Sequence, residues 1–253
     1  MNSVERHQFI LKYLHEKGSI NVLDLCKELD VSSVTIRKDL KLLEEMQMLF
    51  RTHGGATLNN PYTSDRSVVE KEKMQSEEKA MIAVTAAKLV EANDSIIIAS
   101  GTTVLAMARH IHPVESLTVV TSALNVAIEL NRHQHVEILQ LGGMIRTTSA
   151  SVAGPYAERI LEDFFCSKLF LGVDGIDPEF GLTTTNGQEA HLNRKMIEVS
   201  QKTIVLADST KFGKRGFGRI CGLDEIDEII TDKGIPQHMQ SELESMGVKV
   251  TIV

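Results

Sequence analysis

Two groups of residues in this sequence have the types and spacing for chemistry. The first is the run Ser32-Ser33-Val34-Thr35-Ile36-Arg37-Lys38-Asp39-Leu40-Lys41. On a helix Ser33, Arg37 and Lys41 share one stripe, with Thr35 and Lys38 flanking it, and Ser32 or Ser33 can cap the first turn. Such a face suits a DNA groove, where hydroxyls reach base edges or phosphates and cations pair with phosphate or guanine. A solvated helix face has the same composition, so the pattern gains weight only from its surroundings. The second group is dispersed: Ser100-Gly101-Thr102-Thr103, Thr121-Ser122, Gly142-Gly143, Asp174-Gly175-Ile176-Asp177 and Asp208-Ser209-Thr210-Lys211 each follow an apolar, β-prone run. Backbone N–H groups and hydroxyls converging at a strand-to-helix turn form an anion cradle, and the Lys211 ammonium could close over a phosphate held there. Taken singly, each string reads equally as a capped turn or tight backbone. Small, hydroxylated or charged residues at five successive strand ends together point to a ligand site.

The elements that must position the first group are legible around it. Residues 5–17 carry Phe9, Ile10, Tyr13 and Leu14 at helical spacing and stop at Gly18; residues 21–29 read as a short helix capped by Asn21, with Leu23, Leu25 and Leu29 apolar. A third helix follows, with Ile36, Leu40 and Leu43 as its core stripe, fading at Gln47. This is the helix-turn-helix layout, in which the last helix reads DNA and the first two brace it. The two β-prone runs of 49–58 around Gly54-Gly55 read as a hairpin, a wing that would bring Arg51 and His53 to the sugar-phosphate backbone. For the second group, a polar linker over 59–76 leads into a helix over 77–92. Strands over 95–99, 117–121, 136–141, 168–173, 203–207, 226–231 and 248–252 then alternate with helices over 103–111, 123–131, 155–163, 187–200 and 236–246. That alternation predicts a mostly parallel, Rossmann-like α/β domain with ligands at the strands' carboxyl ends.

The string Thr35-Ile-Arg-Lys-Asp-Leu40, preceded by Val31-Ser32 and followed by Arg51-Thr-His-Gly-Gly-Ala56, resembles the DeoR family of bacterial transcription regulators. There the first string marks the recognition helix and the second the wing; Met46-Gln47-Met48 departs from the family, which often has a Gly before the wing. The resemblance implies that the C-terminal domain shares the fold of ribose-5-phosphate isomerases, and Asp174-Gly-Ile-Asp177, Gly187-Gln-Glu-Ala190, Arg194-Lys195 and Ala207-Asp-Ser-Thr-Lys211 are similar to the isomerase core. By that resemblance Ser100 to Thr103 and Lys211 hold a sugar phosphate, and Asp174 and Asp177 lie beside the sugar. The catalytic parts do not carry over. Thr185 stands where the isomerases have a Lys, and Arg194 where they have the general base, and neither can take a proton from a carbon beside a carbonyl. Glu189 is expected to bind sugar hydroxyls rather than to act as a displaced base.

Composition sets the bounds. A chain of 253 residues allows a small module, 1–58, and a larger domain, 77–253. Its formal charge is −7, while residues 1–57 hold eight basic and eight acidic residues, so DNA binding must rest on a local patch. Cys26, Cys166 and Cys221 form no Cys-x-x-Cys pair, and no leader or long apolar run is seen, which implies reduced thiols, a cytoplasmic home and no membrane partner. The pairs His110/His112 and His133/His135 fall where helices end, so no metal and no cofactor is expected. The resulting expectation is a repressor that binds operator DNA as a homodimer or homotetramer and answers to a phosphorylated sugar. Two rivals are a sugar-phosphate isomerase fused to a DNA module, and a C-terminal domain serving only oligomerisation.

Overall fold

The computed structural model describes residues 3–46, 48–52, 54–57, 67–113 and 115–253, and the chain divides into two units, Met1–Ser64 and Asp65–Val253. In the first unit α1 (Ser3–Lys17), α2 (Val22–Leu29) and α3 (Ser33–Glu45) enclose a core that includes Ile10, Leu14, Leu25, Ile36, Leu40 and Leu43. The Asn21 side chain caps α2 by accepting from the Leu23 N–H at 2.8 Å. Leu23 itself is 65% exposed, and Val22 takes the core position expected of it. Strands β1 (Ser19–Asn21), β2 (Phe50–Thr52) and β3 (Gly55–Thr57) form an antiparallel sheet in the order β1-β3-β2. The hairpin is therefore present, and a third strand braces it. Gly55 makes this possible: any Cβ there would overlap the Ile20 carbonyl oxygen.

The second unit begins with α4 (Val68–Glu72), inside the stretch expected to be a linker, and α5 (Ser76–Ala87), which stops five residues before the expected 92. There follow β4 (Ser95–Ile98), α6 (Thr102–Ala108), β5 (Leu117–Thr121), α7 (Leu124–Leu130), β6 (Val136–Gln140), a hairpin of β7 (Met144–Arg146) and β8 (Ser151–Ala153), and α8 (Pro155–Leu161). The second half holds β9 (Cys166–Gly172), β10 (Gly175–Asp177), β11 (Gly181–Thr184), α9 (Gly187–Glu198), β12 (Ser200–Leu206), β13 (Gly218–Cys221), β14 (Glu228–Thr231), α10 (Gln237–Ser245) and β15 (Lys249–Ile252).

Seven of these strands form one sheet in the order β15-β14-β12-β9-β4-β5-β6, every neighbouring pair parallel. The chain runs outward from β4 to β6, then returns to the other side of β4 and runs outward again. Alternating residues divide the core between the two faces. Ile96, Ile98, Phe170 and Ile204 meet the helices of the first half, whereas Ile97, Leu169, Leu171 and Val205 meet α8, α9 and α10. The expected strands are thus all in place, and the sheet reverses direction between β4 and β9. In a doubly wound sheet that reversal opens a crevice at the carboxyl ends, where the helices of the two halves depart to opposite faces. The Asp174-Gly-Ile-Asp177 string follows β9 as expected, and its last three residues form β10 of the antiparallel sheet β10-β11-β13.

Candidate functional site

The outward face of α3 is built by what its inward face buries. Ile36, Leu40 and Leu43 turn into the core, and Asp39 is buried with them. The Arg6 guanidinium donates to Asp39 at 2.5 and 2.9 Å, and the His7 ring lies 3.0 Å away, so an ion-paired latch fixes α3 on α1. Arg37, Lys38 and Lys41 then stand exposed. The hydroxyls expected at base edges are used locally: Ser32 Oγ accepts from the Thr35 N–H at 3.2 Å and lies 3.0 Å from Thr35 Oγ1. Ser32 is thus the N-cap, and Ser33 is half-exposed beside it. Arg51 sits on β2, its N–H donating to Glu44 Oε1 at 2.8 Å and its guanidinium 3.8 Å from the same carboxylate, so part of its charge is offset. His53 lies outside the described residues.

At the sheet's reversal point the backbones of β4 and β9 end side by side. Gly101, at φ +140°, leads into α6, and a Cβ on Gly172 would stand 3.2 Å from the Ser100 carbonyl. Next to this floor Asp174 gathers cations. Lys71 Nζ donates to its Oδ1 at 2.9 Å, and Lys211 Nζ lies 4.0 Å from the same oxygen. Thr184 Oγ1 and the Thr185 N–H donate to Oδ2 at 3.1 and 3.3 Å. Burial would raise the Asp174 carboxyl, but Lys71, Lys211 and Thr184 outweigh it and hold the group below its ordinary value. A third ammonium, Lys79, is buried and donates to the Lys71 and Met74 carbonyls at 2.6 and 2.7 Å, locking the α4–α5 turn. Burial lowers its pKa, Lys211 and Lys71 add to the effect, and Asp208 opposes it, which places all of these charges together.

Lys71 and Lys79 have no counterpart among the residues expected from sequence. Their neighbourhood reads as linker and as an Ala-rich helix; Lys71 stands on the folded α4 and Lys79 on α5, held to α4 by its bond to the Lys71 carbonyl. The mouth continues to Glu189, in the first turn of α9, which accepts from Arg146 Nε at 3.2 Å and from Ser151 Oγ at 3.4 Å. Arg146 also donates to Thr148 Oγ1, and the Thr148 carbonyl accepts from the Val68 N–H that starts α4, so the β7–β8 hairpin and α4 are joined. Thr102 and Thr103 are buried at the start of α6, with Ser100 half-buried before them.

Other expected residues have different surroundings. Thr121 Oγ1 donates to the Ile98 carbonyl at 2.7 Å and accepts from the Ala123 N–H at 3.1 Å, while Ser122 is buried and its carbonyl holds Val152; these tie β5 to its neighbours. Gly142 and Gly143 follow the edge strand β6, roughly 14 Å across the sheet from β9 at three strand spacings. They line a surface pocket with Tyr156, Arg159, Ile160 and Asp163, which contains none of the three lysines. Asp177 accepts from the N–H groups of Glu179 and Phe180 and pairs with Arg215 at 2.7 Å, so its carboxylate is engaged in a turn. Gly175 is buried in β10, where a Cβ would overlap the Lys214 carbonyl oxygen, so close backbone packing accounts for it. Burial pushes the Cys166 thiol up to about 11, which leaves it protonated and unreactive at neutral pH.

A winged helix-turn-helix head followed by an α/β unit with a charged crevice at its reversal point defines a DNA-binding regulator with a separate ligand-sensing part. The chain matches the DeoR-like helix-turn-helix domain over residues 6–62 and the DeoR C terminal sensor domain over residues 74–233. It is 39% identical to the uncharacterized HTH-type transcriptional regulator YulB of Bacillus subtilis, over 98% of this chain and 96% of that one. It is 38% identical to the putative aga operon transcriptional repressor of Escherichia coli O157:H7, over 98% and 93%. The transcriptional repressor GlcR of Bacillus subtilis is 34% identical over 100% and 97%. The chain belongs to the DeoR family of transcription regulators, and it is a regulator rather than an enzyme. Among solved structures, ribose 5 phosphate isomerase A from Neisseria gonorrhoeae is 17% identical with a TM-score of 0.41 over 56% of each chain, a likeness too partial to carry residue roles across.

Proposed function

We propose that this protein represses a carbohydrate-metabolism operon, holding operator DNA through the exposed face of α3 and letting go when a phosphorylated sugar enters the crevice between β4 and β9. The observation that carries the ligand reading is the convergence of Lys71 and Lys211 on one carboxylate oxygen of Asp174. Three ammonium groups, Lys71, Lys79 and Lys211, against the carboxylates of Asp174 and Asp208 leave one positive charge beside the Ser100–Thr103 turn, which favours a phosphate there. Glu189 and Arg146, paired at 3.2 Å, would meet the sugar hydroxyls. A single recognition helix reaches few bases, so two heads on a repeated site, in a homodimer or homotetramer, supply the rest of the specificity. The protein is expected to work in the cytoplasm, where DNA and phosphorylated sugars meet. A panel of sugar phosphates tested for thermal shift on the full chain checks the reading: a ligand at 100 times its Kd adds about 2.7 kcal/mol of stability. Any hit should then reduce the gel shift of DNA upstream of the protein's own gene. A panel without a stabilising sugar phosphate would sink the sensor reading and favour a purely oligomerising domain.

A further inference from the structure

α3 exposes two large apolar side chains, Val34 and Leu42, and Val34 is the one in the helix's first turn, where neither the fold nor phosphate binding accounts for it. Val34, the second residue of the helix, is 72% exposed, whereas Ile36, Leu40 and Leu43 on the opposite face are buried. A β-branched side chain at an exposed helical position loses rotamer freedom and helix propensity and gains no burial in return. Arg37, Lys38 and Lys41 lie three, four and seven positions further on, so Val34 heads the cationic stripe on the same side of the helix. Two of the hydroxyls around it are engaged locally: Ser32 Oγ lies 3.0 Å from Thr35 Oγ1 and accepts from the Thr35 N–H.

We propose that Val34 is a specificity-determining residue whose methyl groups pack against the 5-methyl group of a thymine in the major groove. This rests on the DNA-binding reading of α3 and goes beyond it by naming the base. The N-terminal residues of a recognition helix are the ones that meet base edges. In the major groove the thymine methyl is the apolar feature open to an aliphatic side chain, and no other base displays one. The Arg37 Cα lies about 4.5 Å further along the helix axis, so its contact falls near the thymine on the same groove.

The test uses the full chain. Duplexes are enriched from a random-sequence pool with the wild-type protein, each thymine of the winning sequence is replaced in turn by deoxyuridine, which lacks only the 5-methyl group, and Kd is measured at fixed salt for wild type and Val34→Ala. The expected result is one thymine position at which deoxyuridine weakens wild-type binding about fourfold, the worth of one methyl group removed from water. Val34→Ala should lose a similar factor on the thymine duplex and be indifferent to deoxyuridine at that position, with a melting temperature no lower than that of the wild type, because the side chain is exposed and Ala favours the helix. The proposal is overturned if no thymine methyl matters to the wild type, or if Val34→Ala keeps the full deoxyuridine penalty. Enrichment of no sequence at all overturns the DNA reading and this proposal with it, an outcome distinct from the other two.

Discussion

Asp39 and Arg37 sit two residues apart on α3 and do opposite jobs. Burial tends to raise the Asp39 carboxyl, but its hydrogen bonds from Arg6 and His7 outweigh that and hold it below its ordinary value. A carboxyl depressed in the fold lends stability that is complete above its unfolded pKa, near 3.8, and is lost as pH falls through the lower folded value. Asp39→Asn should therefore cost about 1–3 kcal/mol at pH 7 by removing the charged acceptor of the Arg6 guanidinium. In urea melts the gap between the two proteins should close in acid; a gap that stays constant down to about pH 2 would show that the latch contributes nothing through its charge. Arg37 behaves in the reverse way, since its exposed side chain supports no packing. Arg37→Ala should leave the melt unchanged and weaken operator binding by about 1–3 kcal/mol if the guanidinium grips a base edge. Undiminished binding in a titration at fixed salt would remove α3 from the interface.

Among the elements, the wing depends on one backbone approach. Gly55→Ala places a methyl group on the Ile20 carbonyl oxygen and should part β3 from β1 at a cost of about 1–3 kcal/mol. In so small a domain that lowers the calorimetric Tm by about 4–8 °C per kcal/mol, and an unshifted head transition would mean that β1 is dispensable. The elements also show where sequence suffices. The central strands of the main sheet are legible because burial on both faces writes them as continuous apolar runs such as Ile96-Ile97-Ile98, and the edge strands β6 and β15, with no buried residue, by their β-branched residues. The hairpin β7–β8 and the sheet β10-β11-β13 are not, because three or four residues are too few for a period to register, and β1 is hidden for the same reason. The helix α4 is polar and short, with no buried residue, so it reads as linker. Lys71 was missed with it: its importance comes from meeting Asp174, 103 residues away in sequence. Conversely, the Asp-Gly-Ile-Asp string is as characteristic of a turn as of a sugar site, and in the structure Asp174 joins a charge cluster while Asp177 closes a turn.

At the scale of the whole chain, the head is electrically balanced over residues 1–57, and the −7 falls on the remainder. DNA affinity then comes from a local cationic face, and what modulates it must act through a change of state rather than through bulk charge. Lys71 lies seven residues beyond Ser64, the last residue of the first unit, so the segment leaving the head carries one of the two cations on Asp174. On the proposed reading, a phosphate competing with Asp174 for Lys71 and Lys211 would act on that segment. If it lowers operator affinity by some factor, operator DNA must lower the affinity for the phosphorylated sugar by the same factor, because the coupling free energy belongs to both sites. Lys211→Ala separates the two functions. It should leave operator binding without ligand intact and weaken both the ligand-induced thermal shift and the release of DNA, since Lys211 lies in the second unit and only 4.0 Å from the shared carboxylate oxygen. Ligand affinities measured with and without operator, for wild type and Lys211→Ala, decide the matter. A wild-type response in the variant would move the phosphate away from this cluster, and unequal factors in the wild-type cycle would mean that a third process, such as a change in assembly, intervenes between crevice and head.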